Sequence, residues 1–214
     1  MFVSLITFIL GLIIYFPINY ICKKSGLLDH PDGKLKLHEK PVPYSGGLLI
    51  FSVFVLGLFF EIFILKMVYY SVFKGILVSS LFILFLGIID DMHRLSWIMK
   101  LIGQIILSVI LISYDIKVSF SFFPEWFTIL LTVGWIIFMV NAYNLIDVSD
   151  GIAGFTFLIF LSTHFIIALF TGNKLVEMMI YPLLGAILIF LVFNMPPAKI
   201  FAGDGGSMLM GFLA

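Results

Sequence analysis

Long apolar stretches separated by short polar breaks run along the whole chain. Seven of them approach the roughly 20 residues that cross the hydrocarbon core of a bilayer, and they cover residues 1–21, 46–65, 72–89, 97–113, 126–144, 151–170 and 178–193. An eighth begins near Gly206 and runs to Ala214. Backbone groups in lipid must hydrogen-bond within their own segment, so each stretch is predicted to be an α-helix. The pattern predicts an all-α, polytopic transmembrane bundle with about seven complete spans and a truncated eighth.

The composition supports a membrane protein and excludes a soluble globule. Hydrophobic residues make up 62% of the chain and charged residues 11%, too few charges to cover a water-exposed surface. Residues 1–214 therefore form a single transmembrane domain. The first stretch lacks a basic start and a small-residue cleavage site, so it is interpreted as a retained span and not as a signal peptide. Because the net charge is zero, the overall charge gives no indication of nucleic-acid binding.

Basic residues indicate the orientation of the spans. Loops that bear more lysine and arginine usually face the cytoplasm. With the N-terminus outside, the inner side holds Lys23, Lys24, Lys34, Lys36, Lys40, Arg94, Lys100 and Lys199, and the outer side holds Lys66, Lys74, Lys117 and Lys174. The sequence therefore predicts a multi-pass protein of the plasma (inner) membrane whose N-terminus is outside and whose polar face is cytoplasmic.

Two adjacent carboxylates, Asp90 and Asp91, follow the third apolar stretch at that inner face. Like charges at this separation repel, and a hard divalent cation with oxygen ligands would offset them. A solvated acidic helix end is the alternative, and for an isolated pair it would be preferred.

A second polar segment, NAYNLIDVSDGIAG, spaces Asn141, Asn144, Asp147 and Asp150 at intervals of three. On a helix, these side chains would share one face and could bind a polar ligand or metal-bound water. The alternative is a polar helix end in which Asn and Asp cap the next span.

Glycines surround Asp204 in a third segment, IFAGDGGSMLMG. A glycine-rich turn before a helix can offer free backbone N–H groups to phosphate, and Asp204 could hold the accompanying metal ion. An ordinary glycine turn with an aspartate cap is the alternative. The first inner loop adds Lys34, Lys36, His38 and Lys40, which suit a diphosphate but also suit anionic lipid headgroups.

These four segments converge on one side of the membrane and supply complementary groups for phosphoryl transfer. In this order, KLHEKPVPYSGG, GIIDDMHRLSWIMKLIGQ, NAYNLIDVSDGIAG and IFAGDGGSMLMG resemble the polyprenyl-phosphate N-acetylhexosamine-1-phosphate transferase family. The PxPxxGG form of the first segment looks more like the GlcNAc-1-phosphate branch than the phospho-MurNAc-pentapeptide branch.

The resemblance implies that a polyprenyl (undecaprenyl) phosphate attacks a UDP-amino sugar and releases UMP, with Mg²⁺ or Mn²⁺ as cofactor, for cell-envelope synthesis. It is also compatible with a homodimer. The roles it implies are catalytic for Asp90, Asp91 and Asp147, metal-binding for Asp204 and Asp91, and substrate-binding for Lys36, His38, Asn144, Asp150 and Lys100.

The chain departs from the family pattern in two places. The family usually has Asp-Gly before a second Asp-Gly, where this chain has Asp147-Val148-Ser149-Asp150-Gly151, and Gly205 stands where Ala or Ser is common. Neither departure removes a carboxylate. The resemblance implies further spans and a histidine-containing loop after Ala214, so the domain is expected to be incomplete at its C-terminus. The alternatives are an inactive scaffold or fragment of such an enzyme, or an ion-coupled transporter, which would need acids nearer mid-span.

Overall fold

A computed structural model of the chain describes residues 2–31, 40–64 and 70–214. Within these ranges the backbone forms eight α-helices and one pair of very short strands. The helices are α1 (Phe2–Ser25), α2 (Gly46–Phe59), α3 (Tyr70–His93), α4 (Trp97–Ser113), α5 (Glu125–Ile146), α6 (Ile152–Thr171), α7 (Lys174–Asn194) and α8 (Gly203–Leu213). A π-helical turn, Phe60–Ile64, continues α2. The strands β1 (Leu28–Asp29) and β2 (Val42–Pro43) pair antiparallel, with Leu28 opposite Pro43.

The predicted spans correspond to helices α1 to α7, which confirms the all-α membrane bundle. Six helices are long and apolar enough to cross a membrane. The remaining predicted span, α4, is apolar but shorter: it has 17 residues and is about 25 Å long. The protein is therefore a multi-pass membrane protein.

Several helix boundaries differ from the predicted ones, and the differences matter for the polar residues. Helix α3 continues beyond residue 89 to His93, so Asp90 and Asp91 lie on its last turn. Helix α5 ends at Ile146, where Asp147 has left the helical conformation. Helix α8 begins at Gly203 instead of Gly206, because the backbone N–H groups of its first residues have hydrogen-bond acceptors on neighbouring elements.

Helix α7 is the central element of the bundle. In its most apolar window 61% of the residues are buried, against 22% in the window of α1. It packs against α1, α2 and α6. The outward faces of α1 and α5 carry large exposed side chains such as Phe16, Trp135 and Phe138, as expected for surfaces that contact lipid.

Glycines in α2 and α3 let the backbone at the beginning of α8 pack directly against the backbones of these two helices. A Cβ atom at Gly47 would lie 2.6 Å from the backbone nitrogen of Gly206, and one at Gly87 would lie 2.6 Å from the carbonyl carbon of Asp204. The preceding residue, Gly46, donates its N–H to the carbonyl of Phe201 at 3.0 Å. These contacts fix the position of the segment that carries Asp204.

Replacing Gly87 with Ala is expected to destabilise the fold by about 1–3 kcal/mol, because the added methyl group must displace backbone atoms. The matched control is Gly134→Ala in α5, where a Cβ atom would meet nothing within 4 Å and where alanine favours the helix. Thermal denaturation in detergent measures both variants. Equal stability of the two would contradict the close approach of α3 and α8.

Candidate active site

The described residues enclose an acidic cavity at the end of the bundle where α3 and α5 finish and α8 begins. Its volume is about 620 Å³. Five carboxylates and two carboxamides contribute to its lining: Asp29, Asp91, Asp147, Asp150, Asp204, Asn144 and Asn194. All four polar segments of the sequence supply lining residues. Among the described residues, no lysine, arginine or histidine lines this cavity.

Asp91 joins α3 to the first turn of α8. Its Oδ1 accepts a hydrogen bond from the backbone N–H of Asp204 at 2.8 Å, and its Oδ2 accepts one from Gly205 at 3.2 Å. A negative charge at this position also complements the dipole of α8. The proposal that these glycine-rich N–H groups are free for phosphate is wrong for Asp204 and Gly205, because a side chain of the protein already binds them.

Gly203 must be a glycine for this arrangement to form. Its φ angle is +68°, in the left-handed region that side chains disfavour. A Cβ atom there would lie 2.6 Å from Oδ2 of Asp91. The glycine before Asp204 therefore provides both a backbone conformation and the space for the capping carboxylate.

The Asp204 carboxylate is held by two polar side chains. Asn144 donates from Nδ2 to Oδ1 at 2.7 Å, and the Lys100 ammonium lies 3.2 Å from Oδ2. Asn144 also donates to the hydroxyl of Ser207 at 3.0 Å. Three helices, α4, α5 and α8, thus meet at this carboxylate.

Asp90 lies behind the cavity and not on its surface. It is 3% exposed, it forms an ion pair with Lys100, and its Oδ1 accepts the backbone N–H of Leu95 at 2.7 Å. Neither Asp90 nor Lys100 lines the cavity. Of the aspartate pair, only Asp91 lines the cavity, whereas Asp90 contacts Lys100 and adjoins Asp204.

The predicted helical face from Asn141 to Asp150 is only half correct. Asn141 and Asn144 lie on α5, but Asp147 caps its end and Asp150 lies in the following turn. Asn141 exchanges hydrogen bonds with Gln104 of α4, at 2.8 and 3.4 Å, instead of facing the cavity. Asp147 is the C-cap of α5, and Gly151, with φ +80°, is the N-cap of α6.

Asp147 and Asp150 have different surroundings although both line the cavity. Asp150 accepts the backbone N–H of Ala198 at 3.0 Å. Asp147 has no hydrogen bond to its carboxylate from the described part of the chain. Burial raises the pKa of Asp147 to about 7, and the negative charges of Asp204 and Asp150 add to that effect. Asp147 is therefore a carboxylate that gains from a proton or a cation.

Two of the predicted substrate-binding residues, Lys36 and His38, lie outside the described residues. The described residues on either side of that loop do reach the site, since Asp29 and Tyr44 both line the cavity.

Sequence reasoning assigned no role to Asp29, Tyr44 or Asn194. The Tyr44 hydroxyl donates to Oδ1 of Asp29 at 2.7 Å. Asn194 is buried and joins two loops: its Oδ1 accepts from Gly151 N–H and its Nδ2 donates to the carbonyl of Ile200, each at 2.9 Å. The available signals were a tyrosine two residues before the glycine pair and an asparagine at the end of an apolar span.

Comparison with known proteins agrees with this arrangement. The family model described as glycosyl transferase family 4 matches residues 73–214, which include every cavity-lining residue except Asp29 and Tyr44.

The chain belongs to glycosyl transferase family 4.

The similar proteins include N-acetylglucosamine phosphate transferases and phospho-N-acetylmuramoyl-pentapeptide-transferases. The chain is 35% identical to a "probable undecaprenyl-phosphate N-acetylglucosaminyl 1-phosphate transferase" of Bacillus subtilis, over 98% of the chain and 60% of that relative. It is 30% identical to the decaprenyl-phosphate N-acetylglucosaminephosphotransferase of Mycobacterium tuberculosis, over 95% of the chain and 56% of the relative. It is also 30% identical to the phospho-N-acetylmuramoyl-pentapeptide-transferase of Streptococcus uberis, over 99% of the chain and 71% of that relative. The chain thus spans 60% or less of the length of the first two relatives.

The donor set of this family member suits a hard divalent cation. The described residues contain no ready group of three His, Cys, Asp or Glu side chains around one point. Mg²⁺, however, keeps several waters and needs only one or two carboxylates from the protein. Asp91, Asn144, Asp147 and Asp204 all have side-chain oxygen atoms and line one cavity. The residues present therefore fit a hydrated magnesium ion.

The raised pKa of Asp147 predicts a pH dependence of stability in the metal-free protein. The unfolded chain releases this proton near pH 4, whereas the folded chain holds it to about pH 7. Stability should therefore fall as the pH rises from about 4 to about 7. We expect Asp147→Asn to melt at a higher temperature than the wild type in EDTA at pH 8, with a smaller gain at pH 5.

Asp115→Asn is the matched control, since Asp115 is exposed beyond the opposite end of α4. Melting curves at the two pH values measure both variants. A gain for Asp147→Asn that is equal at pH 5 and pH 8 would contradict the assigned pKa.

Proposed function

We propose that the protein transfers N-acetylglucosamine-1-phosphate from a UDP-linked amino sugar to a polyprenyl phosphate and releases UMP, for cell-envelope synthesis. The observation that carries the proposal is the acidic cavity, to which four separate segments of sequence contribute. The names of these two relatives support the acceptor, since they specify undecaprenyl or decaprenyl phosphate. The N-acetylglucosamine titles also favour that sugar.

The proposed reaction exchanges one phosphorus–oxygen bond for another. An oxygen of the polyprenyl phosphate bonds to the β-phosphorus of the UDP-sugar, and the bond from that phosphorus to the oxygen bridging the two phosphates breaks. The electron pair of the broken bond leaves with UMP. Because little other covalent chemistry is needed, the protein contributes mainly positioning and charge stabilisation.

The geometry suggests different tasks for the three candidate catalytic aspartates. Both oxygens of Asp91 accept backbone hydrogen bonds from α8, so Asp91 sets the position of Asp204. Asp90 holds Lys100 beside Asp204. Asp147 faces the cavity with a pKa of about 7, which suits a group that takes a proton from the acceptor phosphate near neutral pH.

Asp204 and Asp91, together with Asn144, would hold the magnesium ion. When bound, that ion would neutralise charge on the diphosphate, which the carboxylates around the cavity would otherwise repel. Asn144 and Asp150 would contact the polar donor substrate, and Lys36 and His38 would approach its phosphates from the first loop.

The proposed location is the inner membrane, with the N-terminus outside and the cavity facing the cytoplasm. The excess of lysine and arginine on the cavity side supports this orientation. A site at this interface could receive a lipid phosphate from the membrane and a nucleotide sugar from the cytosol.

Release of UMP from UDP-GlcNAc and undecaprenyl phosphate tests the proposal. We expect UMP release to require Mg²⁺ or Mn²⁺ and to stop in EDTA. Asp147→Asn and Asp204→Asn should each lower the rate by at least about a hundredfold, as loss of a charge-stabilising or proton-accepting group does. Asp115→Asn, at the opposite end of the bundle, should leave the rate unchanged.

The 214-residue chain should be assayed beside a version extended through the downstream segment found in relatives. Undiminished turnover in EDTA would contradict the metal assignment. No UMP release by the extended version would contradict the proposed activity and favour a scaffold role. An unchanged metal titration in Asp204→Asn would reject Asp204 as a ligand.

A further inference from the structure

The cavity has one wall that the proposed chemistry does not use, formed by Asp29 and Tyr44. We infer that this pair is the subsite for the sugar of the donor substrate. The inference rests on the proposed function and adds to it the part of the donor that these residues bind. The two residues lie at the ends of the short strands, Asp29 in β1 and Tyr44 directly after β2.

The geometry of the pair combines a charged acceptor with an aromatic face. The Tyr44 hydroxyl donates to Asp29 at 2.7 Å, and a Cβ atom at Gly203 would lie 3.1 Å from Cδ1 of the Tyr44 ring. The ring centroid of Phe201 lies 6.5 Å from that of Tyr44. The aromatic wall therefore adjoins the first residue of α8, immediately before Asp204.

Hydrogen-bonding capacity decides which part of the donor this wall can contact. An ionised carboxylate only accepts hydrogen bonds, and a diphosphate has none to donate. Asp29 therefore offers the phosphates no hydrogen bond. Sugar hydroxyls and an N-acetyl N–H group do donate, and the C–H face of a sugar ring packs on the negative face of an aromatic ring.

Tyr44 keeps its own proton and so remains a donor to Asp29. Burial raises its pKa well above the ordinary value, and the hydrogen bond to Asp29 and the charges of Asp29, Asp91 and Asp204 raise it further. The phenol therefore holds Asp29 in one orientation across the whole physiological pH range.

The strands do not need this side-chain pair in order to associate. Leu28 pairs with Pro43 and Asp29 with Val42 through the backbone, and the Tyr44 N–H donates to the carbonyl of Leu27 at 3.2 Å. A tyrosine and an aspartate that line the cavity are thus additional to the backbone link, which favours a role in ligand binding.

A comparison of UDP-GlcNAc with UDP tests the sugar subsite, because UDP lacks the sugar and keeps the nucleotide and both phosphates. The affinity for each ligand is measured by calorimetry with Mg²⁺ on the detergent-purified protein in its extended version, the one used for the UMP-release assay. We expect Asp29→Asn and Tyr44→Leu to bind UDP-GlcNAc about tenfold more weakly than the wild type, the change that loss of one hydrogen bond to a charged group produces. Both variants should bind UDP with an affinity within about twofold of the wild-type value. Tyr44→Phe, which keeps the ring, should lose less affinity than Tyr44→Leu.

Retained UDP binding also serves as the control for correct folding. If the variants weaken both ligands equally, or neither, the sugar assignment is overturned and the proposed function stands. If the wild type binds neither ligand, the proposed function is contradicted and the sugar subsite with it.

Discussion

The site depends on two hydrogen bonds, which the carboxylate of Asp91 accepts from the backbone N–H groups of Asp204 and Gly205. They join the last turn of one helix to the first turn of another, more than a hundred residues apart in sequence. Both bonds are charge-assisted, and in surroundings of low dielectric constant such bonds are stronger than in water. Without them, the first N–H groups of α8 would lose the acceptor that α3 provides, and only Asn144 and Lys100 would hold the Asp204 side chain at the cavity. The glycines at positions 47, 87 and 203 leave the space that this contact needs, because a Cβ atom at any of them would clash with neighbouring atoms.

Five carboxylates around one cavity would repel one another if nothing offset their charge. The protein offsets part of it with its own groups: Lys100 lies between Asp90 and Asp204, backbone N–H groups bind Asp91 and Asp150, and a phenol binds Asp29. Asp147 is the carboxylate to which the described residues donate no hydrogen bond. Burial raises the pKa of Asp147 to about 7, and it raises the pKa of Asp91 to about 7 as well. Hydrogen bonding, and not the pKa, therefore distinguishes Asp147 from the carboxylates that join elements of the site.

The sequence predicted the spans well because hydrophobicity over a length of about 20 residues is a local property that the bilayer thickness dictates. The order of the four polar segments also identified the family, and their residues do meet at one cavity. The sequence did not predict how these residues are used. A spacing of three suggested one helical face for Asn144 and Asp147, but the helix ends at Ile146 and Asp147 is its C-cap. The glycines around Asp204 suggested free N–H groups, whereas Asp91 occupies them through a contact that no local pattern encodes. The pairing of Asp29 with Tyr44 likewise depends on two strands of two residues each, too short to leave a periodic signal.

The modest length of α4 has a consequence for how the surrounding lipid acts on the site. A typical hydrocarbon core is about 30 Å thick, and this helix, at 17 residues, is about 5 Å shorter. Tilting would only shorten its reach, so the adjustment falls on local thinning of the bilayer or on the chain that follows Ser113. Lys100 lies in the first turn of the same helix and contacts Asp204. A shift of α4 in response to hydrophobic mismatch would therefore move Lys100, the cation beside Asp204, so the acyl-chain length of the host membrane is expected to affect the site through this ion pair.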